Sequence, residues 1–398
     1  MLHYENQNPD TRLGVSGPSD LSELAAQLND AADAPYKLWE APSANDTSPS
    51  SRLAASLDEA PDDPNPWASP LAACEAPVLQ IIDPGRAQAA MTARLSFIAT
   101  ADNQRLTRLA KLLRERGSIR QLATIPDAWR VGLDDLEHKF PNFSDVVDFV
   151  RGACAVASHG NGVPRIGPVL LSGPPGVGKT CFALALANWL GGGFQTIHVE
   201  TAQTSSALSG SAEHWGNTKP GVVFNALIEG DFANPVFFLD EIDKAFRGEH
   251  DPLMSLYSLL EPLTAVDFVD ASYPWLPGID ASRIVWVCTC NDVAQVPVPI
   301  LDRLRQFHVT PPTMSQAKQI VDEIIRSMVA DLPAQLGDLV VAPGAKSRLR
   351  DLAPRQVRPQ LAAAIGRAVY RGRRRVLAAD LDGIRDQLHE ATRIGFLP

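Results

Sequence analysis

The chain has few cysteines, and their spacing suits neither a metal site nor a disulfide framework. The five are Cys74, Cys154, Cys181, Cys288 and Cys290, with no CxxC pair among them. A sparse, odd count in a long chain is typical of a reducing compartment. The sequence also lacks a basic start followed by an apolar run, and it lacks any apolar run of about 18 residues. These absences predict a cytoplasmic protein without a secretory signal or membrane span.

Positive charge is also in short supply. The 398 residues include 36 Lys and Arg against 46 Asp and Glu, a formal net charge of −10. Residues 1–85 hold 14 acidic and 3 basic side chains, so the rest of the chain is nearly neutral. A nucleic-acid-binding surface usually needs a strong basic excess, which makes a nucleic-acid partner unlikely from composition alone.

One dense basic cluster is present, RAVYRGRRRV at 367–376. Acidic residues follow it directly, at Asp380, Asp382 and Asp386. This pattern favours a solvated or inter-subunit face, and contact with nucleic acid is the alternative.

The N-terminal part, residues 1–85, is predicted to be a disordered acidic tail. It contains 11 prolines and stretches such as APSANDTSPSS, with low hydrophobicity and an acidic bias. Such segments cannot bury enough apolar surface to offset the entropy of ordering. The pattern leaves three roles open: a passive tail, a recruitment segment or an autoinhibitory arm.

A small helical region is predicted next, over residues 86–150. Leu106, Leu109 and Leu113 recur at helical spacing, and Gly117 follows as a C-cap candidate. Apolar residues at helical spacing return after the second proline of Pro311-Pro312, so residues 313–398 are predicted to form a small all-helical domain.

The centre of the chain, residues 151–312, alternates apolar runs with helical patterns. The runs are GPVLLSG (167–173), FQTIHVE (194–200), PVFFLDE (235–241), RIVWVCTCN (283–291) and RQFHVT (305–310). Continuous apolar strands separated by helices are typical of a parallel sheet that is covered on both faces. The fold class is therefore α/β.

A phosphate-binding loop is predicted where the first strand meets a helix. GPPGVGKT (173–180) matches the pattern G-x-x-x-x-G-K-[ST] in full. Glycines let backbone N–H groups wrap a polyphosphate, the lysine reaches its terminal phosphates, and the threonine hydroxyl ligates Mg²⁺. The candidate nucleotide-binding residues are Gly173, Pro174, Pro175, Gly176, Val177, Gly178, Lys179, Thr180 and Cys181.

Polar residues follow two later strands and complete a nucleotide site. FFLDEIDK (237–244) places Asp240 at the carboxyl end of a strand, where it can hold Mg²⁺ through water, and Glu241 can polarise the attacking water. Asn291 ends the next strand and is expected beside Asp240, although an Asn there is also an ordinary turn residue. Cys288 and Cys290 alternate on that strand and are expected to be buried.

These motifs, in their order and spacing, resemble the AAA+ ATPases over about residues 130–395. They are closest to the ATPase module of the Lon proteases, which LSGPPGVGKT, FFLDEIDK, DPLMSLYSLLEPL, VDFVDASYPWLPGIDASRIVW and VPVPILDRLRQF resemble. The resemblance implies a P-loop fold with a sheet of order 5-1-4-3-2 and a C-terminal helical lid. It also implies a homo-hexameric ring with ATP and Mg²⁺ between subunits.

Further roles follow from the resemblance alone. Arg303 matches the arginine that reaches into the neighbouring subunit's site, with Arg305 as its rival. Arg355 matches the lid arginine that senses the γ-phosphate, with Arg358 as its rival, and Asn291 matches the first sensor. LDDLEHKFPNFSDVV takes the place of the adenine-contacting segment without reproducing the family's usual sequence.

The loop HWGNTKPG (214–221) carries an unusual tryptophan. In the resembling family this interval projects into the central pore of the ring, and an aromatic residue five positions before Pro-Gly grips the translocating chain. Trp215 stands five positions before Pro220-Gly221. An aromatic face gives contacts that tolerate many sequences. The alternative is that Trp215 packs under the loop or into a subunit interface.

The chain departs from the Lon pattern at both ends. It stops at Pro398, after the predicted lid, so no intrinsic peptidase activity is expected, and an acidic tail stands where Lon has a large N-terminal domain. The sequence predicts an ATPase that remodels, unfolds or translocates a protein partner. The alternatives are a nucleotide-dependent switch or scaffold for a separate effector, such as a protease in trans, and a nucleic-acid motor or loader.

Overall fold

The structure is a computed structural model, and it describes residues 76–95, 100–199, 206–212, 218–245 and 251–381. Most of the predicted acidic tail and the tryptophan of the predicted pore loop, Trp215, lie outside these residues. No helix in the described ranges is long and apolar enough to cross a membrane.

The N-terminal region combines helices with a short antiparallel ribbon. Its elements are β1 (Val78–Gln80), α1 (Pro84–Leu95), α2 (Thr100–Arg116), β2 (Ile119–Gln121), α3 (Trp129–Lys139) and α4 (Ser144–Ala157), with a 3₁₀ turn at Pro141–Phe143. β1 and β2 pair in antiparallel fashion. The periodic leucines Leu106, Leu109 and Leu113 are buried on α2, and the N–H of Gly117 donates to the Leu113 carbonyl as α2 ends. The sequence predicts a helical region here, and it does not predict the ribbon.

The globular part begins earlier than predicted. Strand β1 and the first residues of α1 lie inside the range that was assigned to the tail, residues 1–85. Ile81 and Ile82 are almost completely buried. Their apolar side chains are a short exception within a proline-rich, acidic segment, which is why composition averaged over that segment hid them.

A five-stranded parallel sheet forms the centre of the molecule. Its strands are β3 (Val169–Ser172), β4 (Phe194–His198), β5 (Val236–Asp240), β6 (Val285–Cys290) and β7 (Arg305–His308). They lie in the order β4-β5-β6-β3-β7, which is the expected order 5-1-4-3-2 when the strands of this sheet are counted along the chain. The AAA+ P-loop architecture expected from the sequence is therefore confirmed.

Helices and buried side chains cover both faces of this sheet. The connecting helices are α5 (Lys179–Leu190), α6 (Ser206–Ser209), α7 (Val222–Glu229), α8 (Leu256–Leu259), α9 (Pro262–Ala265) and α10 (Val298–Leu301), with 3₁₀ turns at Ile242–Lys244 and Val293–Gln295. Along β5, Phe237 and Leu239 belong to one apolar core, and Val236 and Phe238 belong to the other. Alternate residues of a strand point to opposite faces, so a fully buried strand is apolar throughout.

The chain then forms a small helical lid. Its elements are α11 (Met314–Ala330), β8 (Val340–Val341), α12 (Pro343–Arg350), α13 (Pro354–Tyr370) and β9 (Arg375–Val376), with 3₁₀ turns at Ala334–Leu336 and Ala378–Leu381. Thr313 caps α11 by accepting from the N–H of Gln316, whose side chain accepts from the Thr313 N–H. The lid has an apolar core of its own. The remainder of the predicted lid, from residue 382, lies outside the described residues.

Arg120 fastens the N-terminal region to the central domain. Its side chain is buried and donates to five backbone carbonyls, three near the end of α2 and two at the end of α7. Burial lowers the pKa of Arg120 to about 10. The carbonyl ends of two helices carry partial negative charge, so they solvate the guanidinium in place of water.

Candidate nucleotide-binding site

The phosphate-binding loop has a backbone that requires glycine. Gly173 has φ +152°, and a Cβ there would collide with the carbonyl oxygen of Val309. Gly178 has φ +103° and directly precedes α5, which begins at Lys179. The loop therefore leads into a helix N-terminus, where free N–H groups and the helix dipole favour phosphate.

Lys179 lies under this loop and connects it to Asn291, the residue that follows β6. Its Nζ donates to the carbonyl oxygens of Gly173 and Pro174, at 2.6 and 3.2 Å, and to Oδ1 of Asn291 at 2.9 Å. The side chain is buried, and this burial lowers the pKa of Lys179 against the attraction of nearby carboxylates. An ammonium group held among neutral carbonyls is ready to exchange them for phosphate oxygens.

Asp240 is held at the carboxyl end of β5, beside the loop. Oδ2 lies 3.5 Å from the hydroxyl oxygen of Thr180, and Oδ1 accepts from the hydroxyl of Thr289 at 2.6 Å. The Thr289 hydroxyl also accepts from the backbone N–H of Glu241, at 2.9 Å. Thr289 thus fixes both acidic residues, a role that the sequence reading missed. Thr289 lies on β6, two positions before Asn291, so the two side chains are expected on the same face. This spacing is the sequence feature that indicates a role for Thr289 in the site.

Glu241 and Asn291 meet above these residues. The Asn291 Nδ2 donates to Oε1 of Glu241 at 3.0 Å. Glu241 has φ +54°, and no other non-glycine residue in the described ranges has a positive φ. A non-glycine residue in this conformation stores strain, which commonly marks a functional position. The structure places the Asn291 amide against the Glu241 carboxylate, at the same edge of the sheet as Asp240.

Asp243 orients this turn from below. Its Oδ2 accepts from the backbone N–H groups of Asn291 and Asp292, both at 3.1 Å. The residue is buried, and its Oδ1 has no hydrogen-bond partner among the described residues. The sequence reading assigned no role to Asp243, because only the fold shows which backbone groups its carboxylate reaches.

These oxygen atoms suit a magnesium ion that arrives with a nucleotide. The Thr180 hydroxyl and the Asp240 carboxylate face the same point beside the phosphate loop. Mg²⁺ usually binds through one or two carboxylates together with substrate phosphates and water. Thr180 and Asp240 are therefore the residues that would hold it here.

Comparison with known proteins gives the same result. Residues 169–311 match the model of the AAA family, the ATPase family associated with various cellular activities. Residues 169–311 form an AAA ATPase domain. This range holds the phosphate loop, both acidic residues and the sheet described above.

The curated relatives of this AAA domain include Lon proteases. Lon protease 2 of Thermus thermophilus is 30% identical over 236 residues, which is 54% of this chain and 28% of that protein. A mitochondrial Lon protease homolog of Oryza sativa subsp. indica is 31% identical over 200 residues, 48% of this chain and 20% of that protein. The chain thus spans less than a third of the length of these relatives.

Among solved structures, the AAA domain and its surroundings resemble RuvB of Thermotoga maritima. The Holliday junction branch migration motor matches with a TM-score of 0.42 and 17% identity, over 63% of this chain and 70% of that chain. A P216G mutant of RuvB matches with a TM-score of 0.44 and 17% identity, over 62% of this chain and 70% of that chain.

The lid brings an arginine to the phosphate loop of the AAA domain. A Cβ built on Gly176 would lie 3.0 Å from Cδ and 3.1 Å from Nε of Arg355, so this side chain lies directly against the loop. Arg358, one turn further along α13, donates to the Ser327 hydroxyl at 3.3 Å within the lid. This geometry favours Arg355 over Arg358 as the sensor arginine.

Arg303 and Arg305, the two candidates for the arginine that reaches into the neighbouring subunit's site, differ in their surroundings. Arg303 donates to the carbonyl of Pro299 at 2.6 Å, just before β7. Arg305 is packed over the rings of Phe149 and Phe307, at 4.9 and 5.8 Å from their centroids. Stacking on two rings holds the Arg305 guanidinium against its own subunit. Both guanidinium groups thus contact their own chain, Arg303 through a backbone carbonyl and Arg305 through two aromatic rings.

The remaining loop residues and the base-binding segment surround the start of α5. Pro174, Pro175 and Cys181 are exposed, whereas Val177 is buried in the core. Asn142 donates to the carbonyls of Val177 and Thr310, at 3.3 Å each. The segment predicted to contact adenine therefore borders the phosphate loop, although it does not reproduce the usual family sequence.

Proposed function

We propose that the chain hydrolyses ATP and uses the cycle to remodel, unfold or translocate a protein partner in a ring-shaped assembly. The observation that carries the ATPase part is the single network that joins Lys179, Asn291, Glu241 and Asp240 at one edge of the sheet. The similarity to Lon proteases, whose names identify them as protein-cleaving enzymes, supports a protein as the partner.

The residues divide the work of hydrolysis among themselves. Lys179 and the loop N–H groups bind the phosphates, and Glu241 accepts a hydrogen bond from the water that attacks the γ-phosphorus. The bond from the γ-phosphorus to the bridging oxygen breaks, which gives ADP and inorganic phosphate. Asn291 orients Glu241. Mg²⁺, held by Thr180 and Asp240, would neutralise charge that develops on the phosphate oxygens.

Two arginines complete the proposed site. Arg355 approaches the phosphate loop from the lid of the same chain, so ATP binding would be coupled to lid position. Arg303 would reach the site of the neighbouring subunit in a homo-hexamer. An arginine in that role accelerates hydrolysis by about 10³–10⁵-fold.

Trp215 is the proposed grip on the partner protein. Its loop leaves from a closed stem, because Ser211 N–H donates to the Lys219 carbonyl at 3.0 Å and the Thr218 hydroxyl donates to the Ala212 carbonyl at 2.9 Å. The described residues on either side of 213–217 are therefore held together, which supports a loop that is anchored to the domain at both ends.

The cysteines indicate the redox compartment in which the chain works. The four cysteines in the described ranges are free thiols, which supports a reducing, cytoplasmic location.

In the basic cluster, Arg371 and Arg373 pair with Asp380, and Arg374 pairs with Asp338. Two lid carboxylates therefore hold three of these arginines in contacts within the lid, which supports an ion-paired face over a nucleic-acid contact.

The first test compares Trp215→Ala with the matched variant Trp215→Phe. ATP hydrolysis is measured with and without a chemically unfolded, alkylated protein, and with double-stranded DNA as the rival ligand. We expect unfolded protein to stimulate the parent chain several-fold and DNA to leave the rate unchanged. Trp215→Ala should bring the ratio of stimulated to unstimulated rate close to one, whereas Trp215→Phe retains an aromatic face and most of the stimulation.

Three results would count against the proposal. Stimulation by DNA alone would favour a nucleic-acid motor. An unchanged ratio in Trp215→Ala would remove the grip from this loop. Full function in a Glu241→Gln variant, which binds ATP without hydrolysing it, would favour a nucleotide-dependent switch that serves a separate effector.

A further inference from the structure

A groove of about 350 Å³ lies at the edge of the sheet opposite the nucleotide site. We call it the basal groove; its walls come from residues 163–168, 259–266 and 282–286, together with Asn234. These segments precede β3, β5 and β6 or flank α9. The nucleotide site uses the carboxyl ends of the same strands, so the basal groove is a separate surface.

Two arginines face this groove without a partner. Neither Arg165 nor Arg283 makes a side-chain hydrogen bond or an ion pair with any described residue, although both line the groove. Partial burial and the nearby charge of Arg165 lower the pKa of Arg283, against the attraction of Asp280. Asp280 accepts from the Ser282 N–H through Oδ1. Two like charges that repel each other without a carboxylate between them favour binding of an anion.

The wall beside the arginines is apolar and exposed. Leu263 and Val266 line the groove and are 84% and 48% exposed. Apolar side chains grouped beside unpaired arginines suit a ligand that carries carboxylates and apolar groups close together. A small inorganic anion would leave the apolar wall uncovered.

A segment of this chain has the matching composition. LDEAPDDPNPW (57–67) carries four carboxylates, at Asp58, Glu59, Asp62 and Asp63, and it is bounded by Leu57 and Trp67. No Lys or Arg interrupts it. The segment lies outside the described residues, in the acidic part of the chain that precedes residue 76.

The path of the chain brings this segment close to the groove. The carbonyl of Pro77 accepts from the Leu122 N–H at 2.8 Å. The next residue, Ala123, exchanges two hydrogen bonds with the side chain of Asn234, which lines the groove. The tail therefore joins the described part of the chain beside the basal groove. About 13 residues separate Asp63 from residue 76, which span up to roughly 45 Å when extended.

We propose that residues 57–67 dock in the basal groove of their own chain, with their carboxylates against Arg165 and Arg283 and their apolar residues against Leu263 and Val266. A short tether gives the segment an effective concentration of about millimolar, which makes even weak charge pairing significant. The tail is then a tethered ligand of the domain. The proposal does not depend on the function proposed above, because the groove is remote from the nucleotide.

The test uses Arg165→Lys and Arg283→Lys in the full chain. Lysine keeps the positive charge and adds an amine, which a carbodiimide joins to a nearby carboxylate as an amide, with water taken up by the reagent. Peptide mass spectrometry then identifies the partner carboxylate. We expect cross-links to Asp58, Glu59, Asp62 or Asp63, reduced several-fold by 0.5 M salt because the attraction is screened at roughly 4 Å under those conditions.

Two controls make the result decisive. Arg151→Lys introduces an amine beside Asp134, Glu137 and Asp148, all of which Arg151 contacts, so its cross-links should go to these residues and not to the tail. Mixing isotopically heavy and light chains separates bonds within a chain from bonds between copies. The proposal is overturned if the Arg151→Lys control reacts while the groove lysines yield no tail cross-link. Heavy–light tail cross-links alone would also overturn it, because the segment would then dock on another copy.

Discussion

At the scale of single residues, the acidic turn after β5 is held by Asp243. This buried carboxylate accepts from two backbone N–H groups, which positions Asn291 against Lys179 and Glu241. A residue that sets such contacts acts on catalysis through its neighbours. Small displacements of a catalytic group have large effects on rate, on the order of 10²-fold for about 1 Å.

We predict that Asp243→Ala lowers kcat about 10²-fold with little change in nucleotide affinity, because it removes the acceptor of two backbone N–H groups and frees Asn291 to move. Asp243→Asn is the matched variant, since its amide oxygen still accepts from both groups. Steady-state ATP hydrolysis and direct nucleotide binding measure the two effects separately. Equal losses in both variants would show that the charge of Asp243 matters, and not its hydrogen bonds.

The contact between the lid and the phosphate loop can also be tested at one residue. Gly176 and Gly193 have nearly the same φ, +84° and +88°. A Cβ at Gly176 would meet Arg355 at 3.0 Å, whereas a Cβ at Gly193 would meet nothing within 4 Å. Alanine at either glycine strains the backbone, but only alanine at Gly176 also displaces Arg355. Comparing the two variants therefore separates the effect of backbone strain from the effect of moving the arginine.

We predict that Gly176→Ala and Gly193→Ala each cost about 1–2 kcal/mol of unfolding free energy, because both place a side chain at positive φ. Only Gly176→Ala should weaken ATP binding, since it pushes Arg355 away from the loop. Urea unfolding and equilibrium nucleotide binding are the measurements. Normal ATP affinity in Gly176→Ala would argue against Arg355 as the sensor.

The sequence predicts candidate site residues, whereas the contacts that hold them are visible only in the fold. GPPGVGKT and FFLDEIDK identify their chemistry by local pattern, because the pattern itself creates the loop and the strand end. Thr289 and Arg120 could not be assigned in this way. Their partners lie far away along the chain, so only the packing of the elements shows what they contact.

At the scale of elements, an ionic cluster around one buried carboxylate joins the end of the lid helix α13 to the last 3₁₀ turn. Asp380 is fully buried and pairs with Arg371 and Arg373, and it also accepts from the Leu377 N–H. Chiefly through its hydrogen bonds with Arg373, its pKa falls to about 2. A carboxylate with a depressed pKa stabilises the folded state above its unfolded pKa of about 3.9, and this stabilisation disappears as the pH falls toward 2.

We predict that Asp380→Asn destabilises the lid at neutral pH and that its deficit relative to the parent chain shrinks between about pH 4 and pH 2. Removing one partner of a buried ionic cluster leaves the arginines uncompensated. Denaturant unfolding at a series of pH values measures the difference. A deficit that stays constant across this range would contradict the assigned pairing.

The elements differ in how far their sequences reveal them. The inner strands β3, β5 and β6 are nearly continuous apolar runs because both of their faces are covered. The edge strands β4 and β7 carry polar residues and are less buried, yet all five lie in runs that the sequence predicts as strands. The β1–β2 ribbon has three residues in each strand, too few for any periodicity. Its stability comes from pairing across about 40 residues of intervening chain, a long-range contact that local patterns do not encode.

At the scale of the whole molecule, the N-terminal region and the AAA domain form one unit. Besides the buried bonds of Arg120, the ion pairs Arg108–Glu229 and Arg116–Asp231 cross the same boundary. These contacts reach α7, which directly follows the stem of the Trp215 loop. Movement of that loop during an ATP cycle is therefore expected to be felt by the region where the acidic tail begins.

The most direct test of the central claim is ATP-driven unfolding of a protein. The measurement follows the fluorescence of a folded fluorescent protein that carries an unstructured tail, mixed with this chain. We predict that fluorescence falls with ATP and Mg²⁺, and that it stays constant with a non-hydrolysable analogue or with the Glu241→Gln variant. An equal loss with the analogue, or no loss while ATP is being hydrolysed, would contradict a protein-remodelling motor.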